Sequence, residues 1–360
     1  MLVHICCSVD SHFFLQKLQR DYPQEKLIGF FYDPNIHPYS EYRLRLLDVK
    51  RSCKKLGIEL LEGEYDFEDW MQVVRGLENE PEKGARCAKC FDKRFERSIQ
   101  KAKELGESKI TTTLLVSPLK SQEQLIERGR EFYKTYGIEF VSFDYRVDGG
   151  SQEQSRVTKE EQLYRQDYCG CIYGLTLQRE QQNRLMDEMF SHISNQIQPS
   201  SIEERLDIYT YRIELEEQNI NYKIVREKFL NYRQFSLKVI LQKDKIIPSY
   251  ALFYSTLPRK KTNGYIEFSY KNISYFNREE IKFITLDFLN KALNTNYKNT
   301  MELIFNPPAV EKEIKLRVDI SGSFYDLSPI IVVDEIPNEK ITIELDSTTY
   351  EDTREKIINL

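Results

Sequence analysis

Short apolar runs and amphipathic stretches take turns through the first half of the chain. Residues 2–6 predict a buried strand, and helical spacing follows to about Arg20. Residues 27–32 repeat the strand signal before a helical stretch that starts near Ser40 and runs to Leu56. Strands over 58–65, 109–115 and 139–143 continue the series, with helices over 67–75, 90–105 and 122–136 between them. Gly57, Gly106 and Gly137 fall where a helix must stop before the next strand. Alternation of this kind predicts an α/β fold, a mainly parallel sheet with flanking helices. Loops at the carboxyl ends of such strands line the binding crevice, which puts Cys6-Cys7, residues 33–39 and Ser117 on one rim.

The pattern changes in the second half. A charged helical stretch runs from Leu175 to about His192, and residues 195–201 read as a linker. Beyond it, helices are expected over 202–217 and 222–232, then strands over 236–241, 249–254 and 265–270. Asn263-Gly264 reads as a hairpin turn, 277–294 as a helix, and 315–320, 330–333 and 341–345 as strands. The expected organisation is a Rossmann-like α/β catalytic domain over 1–192 that carries the metal site, followed by a separate α+β accessory domain of unknown role over 202–360.

Composition refines this only slightly. A chain of 360 residues suits two compact domains, and 40% hydrophobic with 30% charged residues is ordinary for a globular protein. With a formal net charge of -5, a nucleic-acid partner needs a local basic patch. No apolar run approaches the roughly 20 residues that span a bilayer, and the chain opens on a strand rather than a leader. A cytoplasmic protein without membrane contact is the expectation. Neither Gly-x-Gly-x-x-Gly nor Gly-x-x-x-x-Gly-Lys-Ser/Thr occurs in the crevice loops, which removes support for a dinucleotide site.

The cysteines carry the chemistry. Six of the seven come in close pairs, Cys6-Cys7, Cys87-x-x-Cys90 and Cys169-Gly170-Cys171, whereas Cys53 sits alone in a helical pattern as a small apolar residue. In a reducing compartment such pairs hold metal or do redox chemistry. Thiolates bind iron-sulfur clusters or zinc, and four close either site. Six exceed one structural zinc, so a zinc-stabilised, non-catalytic module is the alternative reading. Asp10 is either a first-turn carboxylate on the first helix or an oxygen ligand to a second iron. A disulfide between Cys169 and Cys171 would be strained and easily reduced, hence redox-active.

Together, several motifs resemble the QueH-type epoxyqueuosine reductases. They are His4-x-Cys6-Cys7, Tyr32-Asp33-Pro34-Asn35-Ile36-His37-Pro38 with Glu41-Tyr42, Gly84-Ala85-Arg86-Cys87-x-x-Cys90-Phe91, Thr111-Thr112-Thr113-Leu114 with Ser117, and Tyr164-Arg165-Gln166-x-Tyr168-Cys169-Gly170-Cys171. The resemblance covers about the first half of the chain. It implies reductive removal of the epoxide oxygen of epoxyqueuosine at the first anticodon position of tRNA, giving queuosine in the last step of its biosynthesis. It also implies a 4Fe-4S cluster on Cys6, Cys7, Cys87 and Cys90, with Cys169 and Cys171 as a redox-active pair. A variant assignment gives some of these thiols, with Asp10, to a second, mononuclear iron. At Ser8-Val9-Asp10 the chain departs from a common Gly-Pro-Cys of the family, which makes the aspartate a natural substitute ligand.

Removing an epoxide oxygen takes two electrons and two protons, so an electron donor, unidentified by the sequence, and a proton donor are needed. Tyr168, Asp33 and His37 are candidates for the proton, and Cys169 and Cys171 for the redox chemistry. Holding a queuosine-type anticodon loop asks for cations and flat groups near the thiols. Arg86, Arg94 and Arg165 supply the cations, with His37 a further substrate contact. In the second domain, Arg259-Lys260-Lys261 is the one concentrated basic run, a candidate for tRNA phosphates.

Overall fold

The computed structural model describes residues 1–117, 121–190 and 196–360. Its first compact unit comprises Met1–Phe190, Arg205–Ile224 and Ile357–Leu360. Five strands, β1 (Leu2–Ile5), β2 (Ile28–Phe31), β3 (Glu59–Glu62), β4 (Lys109–Thr112) and β5 (Glu139–Phe140), form one parallel sheet in the order β3-β2-β1-β4-β5. The chain winds outward from β1 to β3 and then returns to the other side through β4. The order therefore reverses between β1 and β4, where an open sheet leaves its crevice. Side chains alternate between the two faces: Val3, Ile5 and Phe31 enter one core, Leu2, Ile28 and Phe30 the other. Helices α1 (Ser8–Asp21), α2 (Tyr39–Leu56), α3 (Phe67–Val73), α4 (Ala85–Glu104), α5 (Gln122–Tyr136), α6 (Gly150–Glu160) and α7 (Ile172–Gln181) flank the sheet, which is the expected α/β arrangement.

Two details of this unit differ from expectation and matter for the site. Helix α4 starts at Ala85, not Cys90, so both thiols of Cys87-x-x-Cys90 lie in its first turns, where residues three apart share a face. Helix α6 was hidden because Val157 is its single buried apolar residue besides glycine, which leaves almost no hydrophobic period to read.

The second unit comprises the described residues 196–204 and Val225–Lys356. One sheet runs β10 (Ile266–Tyr270), β11 (Ile273–Phe276), β12 (Lys282–Thr285), β13 (Ile330–Val333), β8 (Tyr250–Ala251); the other runs β7 (Ile246–Ile247), β6 (Tyr222–Ile240), β14 (Ile341–Asn359), β9 (Lys261–Gly264). Val239, Phe276, Phe283, Ile331 and Ile343 share a core drawn from both sheets. On the opposite face of β12 and β13, Ile284, Ile330 and Val332 pack with Leu289 of α9 (Leu286–Leu293), Leu303 of α10 (Thr300–Phe305) and Leu316 of α11 (Val310–Ser321).

Several expectations fail here for identifiable reasons. Residues 222–232 are strand: Val225, Phe229 and Tyr232 mimic a helical period, but pairing with β14 overrides local propensity. Residues 315–320 lie in α11, whose inward face carries the charged Glu313 and Arg317 beside Leu316 and so does not read as apolar. Asn263 and Gly264 pair with Thr342 and Ile341 inside a ladder rather than turning a hairpin, and the missing side chain at Gly264 makes room for Phe276. Within 277–294, Lys282–Thr285 is β12, and Thr285 caps the shorter α9 by accepting from the Phe288 N–H at 3.3 Å. Of 249–254 only Tyr250–Ala251 is strand.

The units do not divide at 192 and 202. Helix α8 (Ile202–Glu217) packs largely with the first unit, because its Arg212 pairs with buried Asp48 of α2 and its Glu216 grips Arg51 at 2.7 Å. His192 and Asn195, which bound the expected helix and linker, lie outside the described residues.

Candidate metal centre

At the carboxyl end of β1 the chain turns into α1 through Cys6 and Cys7. His4 braces this end of the sheet: its Nε2–H donates to the Tyr32 carbonyl at 3.1 Å, and its Nδ1 accepts from the Thr112 hydroxyl at 2.8 Å. Burial and the charge of Arg94 hold His4 well below the usual histidine range, so it is a neutral strut across β1, β2 and β4.

Beyond the strut, the donor atoms of Cys6, Cys7 and Asp10 all lie within 4.8 Å of one another. Cys6 Sγ is 3.8 Å from Cys7 Sγ and 3.8 Å from Asp10 Oδ2. Two thiolates bonded at about 2.3 Å to one tetrahedral ion stand about 3.8 Å apart, so the spacing already suits a shared metal. Gln154 of α6 donates to the other carboxylate oxygen, Oδ1, at 2.9 Å and so turns Oδ2 toward Cys6. Cys7 caps α1 just after β1 has ended, so the alternation of a continuing strand no longer holds the two neighbouring sulfurs apart.

The other four thiols meet elsewhere. Cys87, Cys90, Cys169 and Cys171 line one pocket with Asn35, Trp70, Arg86, Phe91 and Arg94. Cys87 and Cys90 come from the start of α4; Cys169 and Cys171 come from the loop entering α7. That loop is held from α2 and the segment before it. Arg45 donates to the carbonyls of Tyr168 at 3.0 Å and Cys169 at 3.3 Å, and the His37 N–H donates to the Gly170 carbonyl at 2.9 Å. Gly170 has φ +99°, and a Cβ there would stand 2.8 Å from Ile36 Cγ1. Only glycine fits without strain.

None of the seven cysteines is in a disulfide. A hydrogen bond with Cys6 and burial push the Cys7 thiol up; a hydrogen bond with Cys169 and burial do the same to Cys171. A thiol in such surroundings gives up its proton when a cation takes the proton's place. Arg94 links the two groups, lying within electrostatic reach of both Cys90 and Cys6 while its guanidinium pairs with Asp33.

The remaining expected site residues separate by burial. Tyr168 is buried, donates its hydroxyl to the His37 carbonyl at 2.7 Å, and lies under the Arg45 guanidinium. Asp33 is fully buried against Arg94. Arg86 is buried, its Nη1 held by the carbonyls of Leu77 at 3.2 Å and Glu78 at 2.7 Å, so it faces the pocket rather than solvent. Arg165 is exposed. His37 is half-buried, stacked on Phe67 at 4.6 Å, with its Nδ1 unpartnered among the described residues. In the second unit, Lys260 pairs with Asp346 and Lys261 with Glu344, which offsets most of that basic run. Sequence reasoning passed over Trp70, Arg45, Asp48 and Gln154; the chain's single tryptophan was the one legible signal among them. Among the described residues no helix is long and apolar enough to cross a membrane.

The family model described as epoxyqueuosine reductase QueH matches residues 1–177. Epoxyqueuosine reductase QueH of Helicobacter pylori is 41% identical over 98% of this chain and 98% of its own length. The protein of that name from Acinetobacter baylyi is 37% identical over 49% of this chain and 80% of its own. Among solved structures, the U34-tRNA thiolase NcsA of Methanococcus maripaludis with its 4Fe-4S cluster aligns with a TM-score of 0.30 and 12% identity, over 59% of this chain and 72% of that one.

Proposed function

Because this chain belongs to the epoxyqueuosine reductase QueH family, whose members are oxidoreductases, we propose that it reduces epoxyqueuosine at the first anticodon position of tRNA to queuosine. The observation that carries the reading is the grouping of six thiols and one carboxylate into two adjoining donor sets: four cysteines around one pocket, and Cys6, Cys7 and Asp10 together. Four thiols suit a 4Fe-4S cluster, and the mixed sulfur and oxygen set suits a single iron. On this reading Cys87, Cys90, Cys169 and Cys171 hold the cluster, and Cys6, Cys7 and Asp10 hold the second iron.

When bound, the cluster passes electrons singly and the lone iron polarises an oxygen as a Lewis acid. Opening and deoxygenating the epoxide consumes two electrons and two protons, and the oxygen leaves as water. The protein's own part is to bind, orient and protonate. Tyr168 spends its hydroxyl on the His37 carbonyl and Asp33 is tied to Arg94, whereas His37 keeps a ring nitrogen available next to the Cys-Gly-Cys loop. His37 is therefore the proton-handling group, with Tyr168 and Asp33 positioning it and Arg94. Burial lowers the pKa of its imidazole, which keeps the ring neutral at pH 7 and able to relay a proton. Exposed Arg165, four residues before Cys169, serves as a phosphate contact on this reading.

The test is anaerobic purification followed by absorbance, iron and sulfide analysis, and single-turnover assay on tRNA carrying epoxyqueuosine. A brown protein that converts the nucleoside to queuosine is expected. A colourless protein that holds zinc and leaves the nucleoside unchanged overturns the reading.

A further inference from the structure

Three buried N–H groups around the four-cysteine pocket have no acceptor among the described residues: Trp70 Nε1, Arg86 Nε and Arg94 Nε. All three residues line the pocket, and they are 0%, 2% and 3% exposed. Each is fixed by its other atoms, which leaves that one donor over. Arg86 hangs from two carbonyls through Nη1, Arg94 is tied to Asp33 through Nη2, and Trp70 packs with Phe67, Tyr173, Cys90 and Cys171. Leaving a buried donor without a partner is destabilising, so three around one pocket call for an acceptor the protein does not itself supply.

We propose that Trp70, Arg86 and Arg94 donate hydrogen bonds to the sulfur atoms of the cluster held by Cys87, Cys90, Cys169 and Cys171, and thereby raise its reduction potential. The inference rests on the four-thiol site of the preceding section. Its physical basis is that a 4Fe-4S cluster on four thiolates is anionic and becomes more so on reduction. N–H donors and the two guanidinium charges stabilise the reduced form more than the oxidised one. The ring is thus a positioning and tuning device, separate from the residues that handle the substrate proton.

The experiment uses the full chain purified anaerobically, with Trp70→Phe and Arg86→Lys as variants. Trp70→Phe keeps an aromatic ring and deletes the donor; Arg86→Lys keeps a positive charge but lacks the Nε–H. Both variants are expected to retain wild-type iron and sulfide while their midpoint potential, titrated by electron paramagnetic resonance, moves to more negative values. Full clusters at the wild-type potential overturn the donor ring. A second measurement needs no variant: Trp70 is the chain's single tryptophan, so a nitrogen-15 indole label reports on it alone. A hyperfine coupling from that nitrogen and its exchangeable proton to the reduced cluster supports the proposal, and absence of both sinks it. Iron and sulfide analysis of the wild-type protein separates the two levels, since a chain with no cluster fails the four-thiol reading and takes this inference with it.

Discussion

At the scale of single residues, the two donor sets make different demands on the same six thiols. On the proposed reading Cys87 and Cys169 each supply a quarter of a four-thiol site, so Cys87→Ser or Cys169→Ser should strip iron and sulfide together. Cys7 and Asp10 belong to the other set, where Gln154 already aims the carboxylate at Cys6. Asp10→Ala should therefore lower iron by about one atom per chain and leave sulfide in place, since a site losing one of three protein ligands loses affinity steeply. Metal and sulfide analysis of the three variants decides between this grouping and one in which Cys6, Cys7, Cys87 and Cys90 share the cluster. In that second case Cys169→Ser would keep its sulfide.

At the scale of elements, the chemistry depends on a loop and a helix start. Gly170→Ala forces a side chain into the left-handed region, at about 1–2 kcal/mol, and its Cβ meets Ile36 and Arg45. The loop should give way before the α/β core does. Reduced cluster loading with a thermal midpoint lowered by only a few degrees is the expected result, read by iron analysis and calorimetry. Much of this was legible in sequence. The parallel sheet followed from the alternation of strands and helices, and the rim position of Cys6-Cys7 from the end of β1. The grouping of thiols was not legible, because it depends on α4 starting at Ala85 and on Arg45 drawing the Cys169 carbonyl toward α2. Spacing within a chain says nothing about such an approach. In the second unit, buried Glu313 and Arg317 erased the apolar face by which α11 would have been read. A long strand such as β6 is set by its partner β14, which lies more than a hundred residues away in sequence.

At the scale of the whole molecule, a residue outside the span matched by the family model fastens both cysteine loops. Arg212 of α8 pairs with Asp48, which is fully buried in α2. The same carboxylate accepts from the Ser8 hydroxyl, next to Cys7, and from the Tyr164 N–H at 2.7 Å, five residues before Cys169. Burial alone would raise the pKa of Asp48, but Arg212 and then Arg51, with the Ser8 and Tyr164 donors, bring it below the usual carboxylate value. Its contribution to stability is thus present above the unfolded value and is lost as pH falls through the lowered one. Arg212→Met removes the leading cation and leaves Arg51, whose Nη1 lies 3.8 Å from Asp48 Oδ1 while its Nη2 grips Glu216. Breaking a buried pair in this way costs up to about 3–5 kcal/mol at neutral pH, because the shared Arg51 compensates the carboxylate only in part. That penalty should shrink as pH falls and the lone carboxyl takes up a proton. It should shrink too when Asp48→Asn is added, since the amide oxygen still accepts from Ser8 and Tyr164 without a charge. The measurement is chemical denaturation of wild type, Arg212→Met and the double variant across pH 5 to 8, with iron and sulfide content in parallel. A single variant as stable as wild type at every pH, with full metal content, would show that α8 does not brace the site.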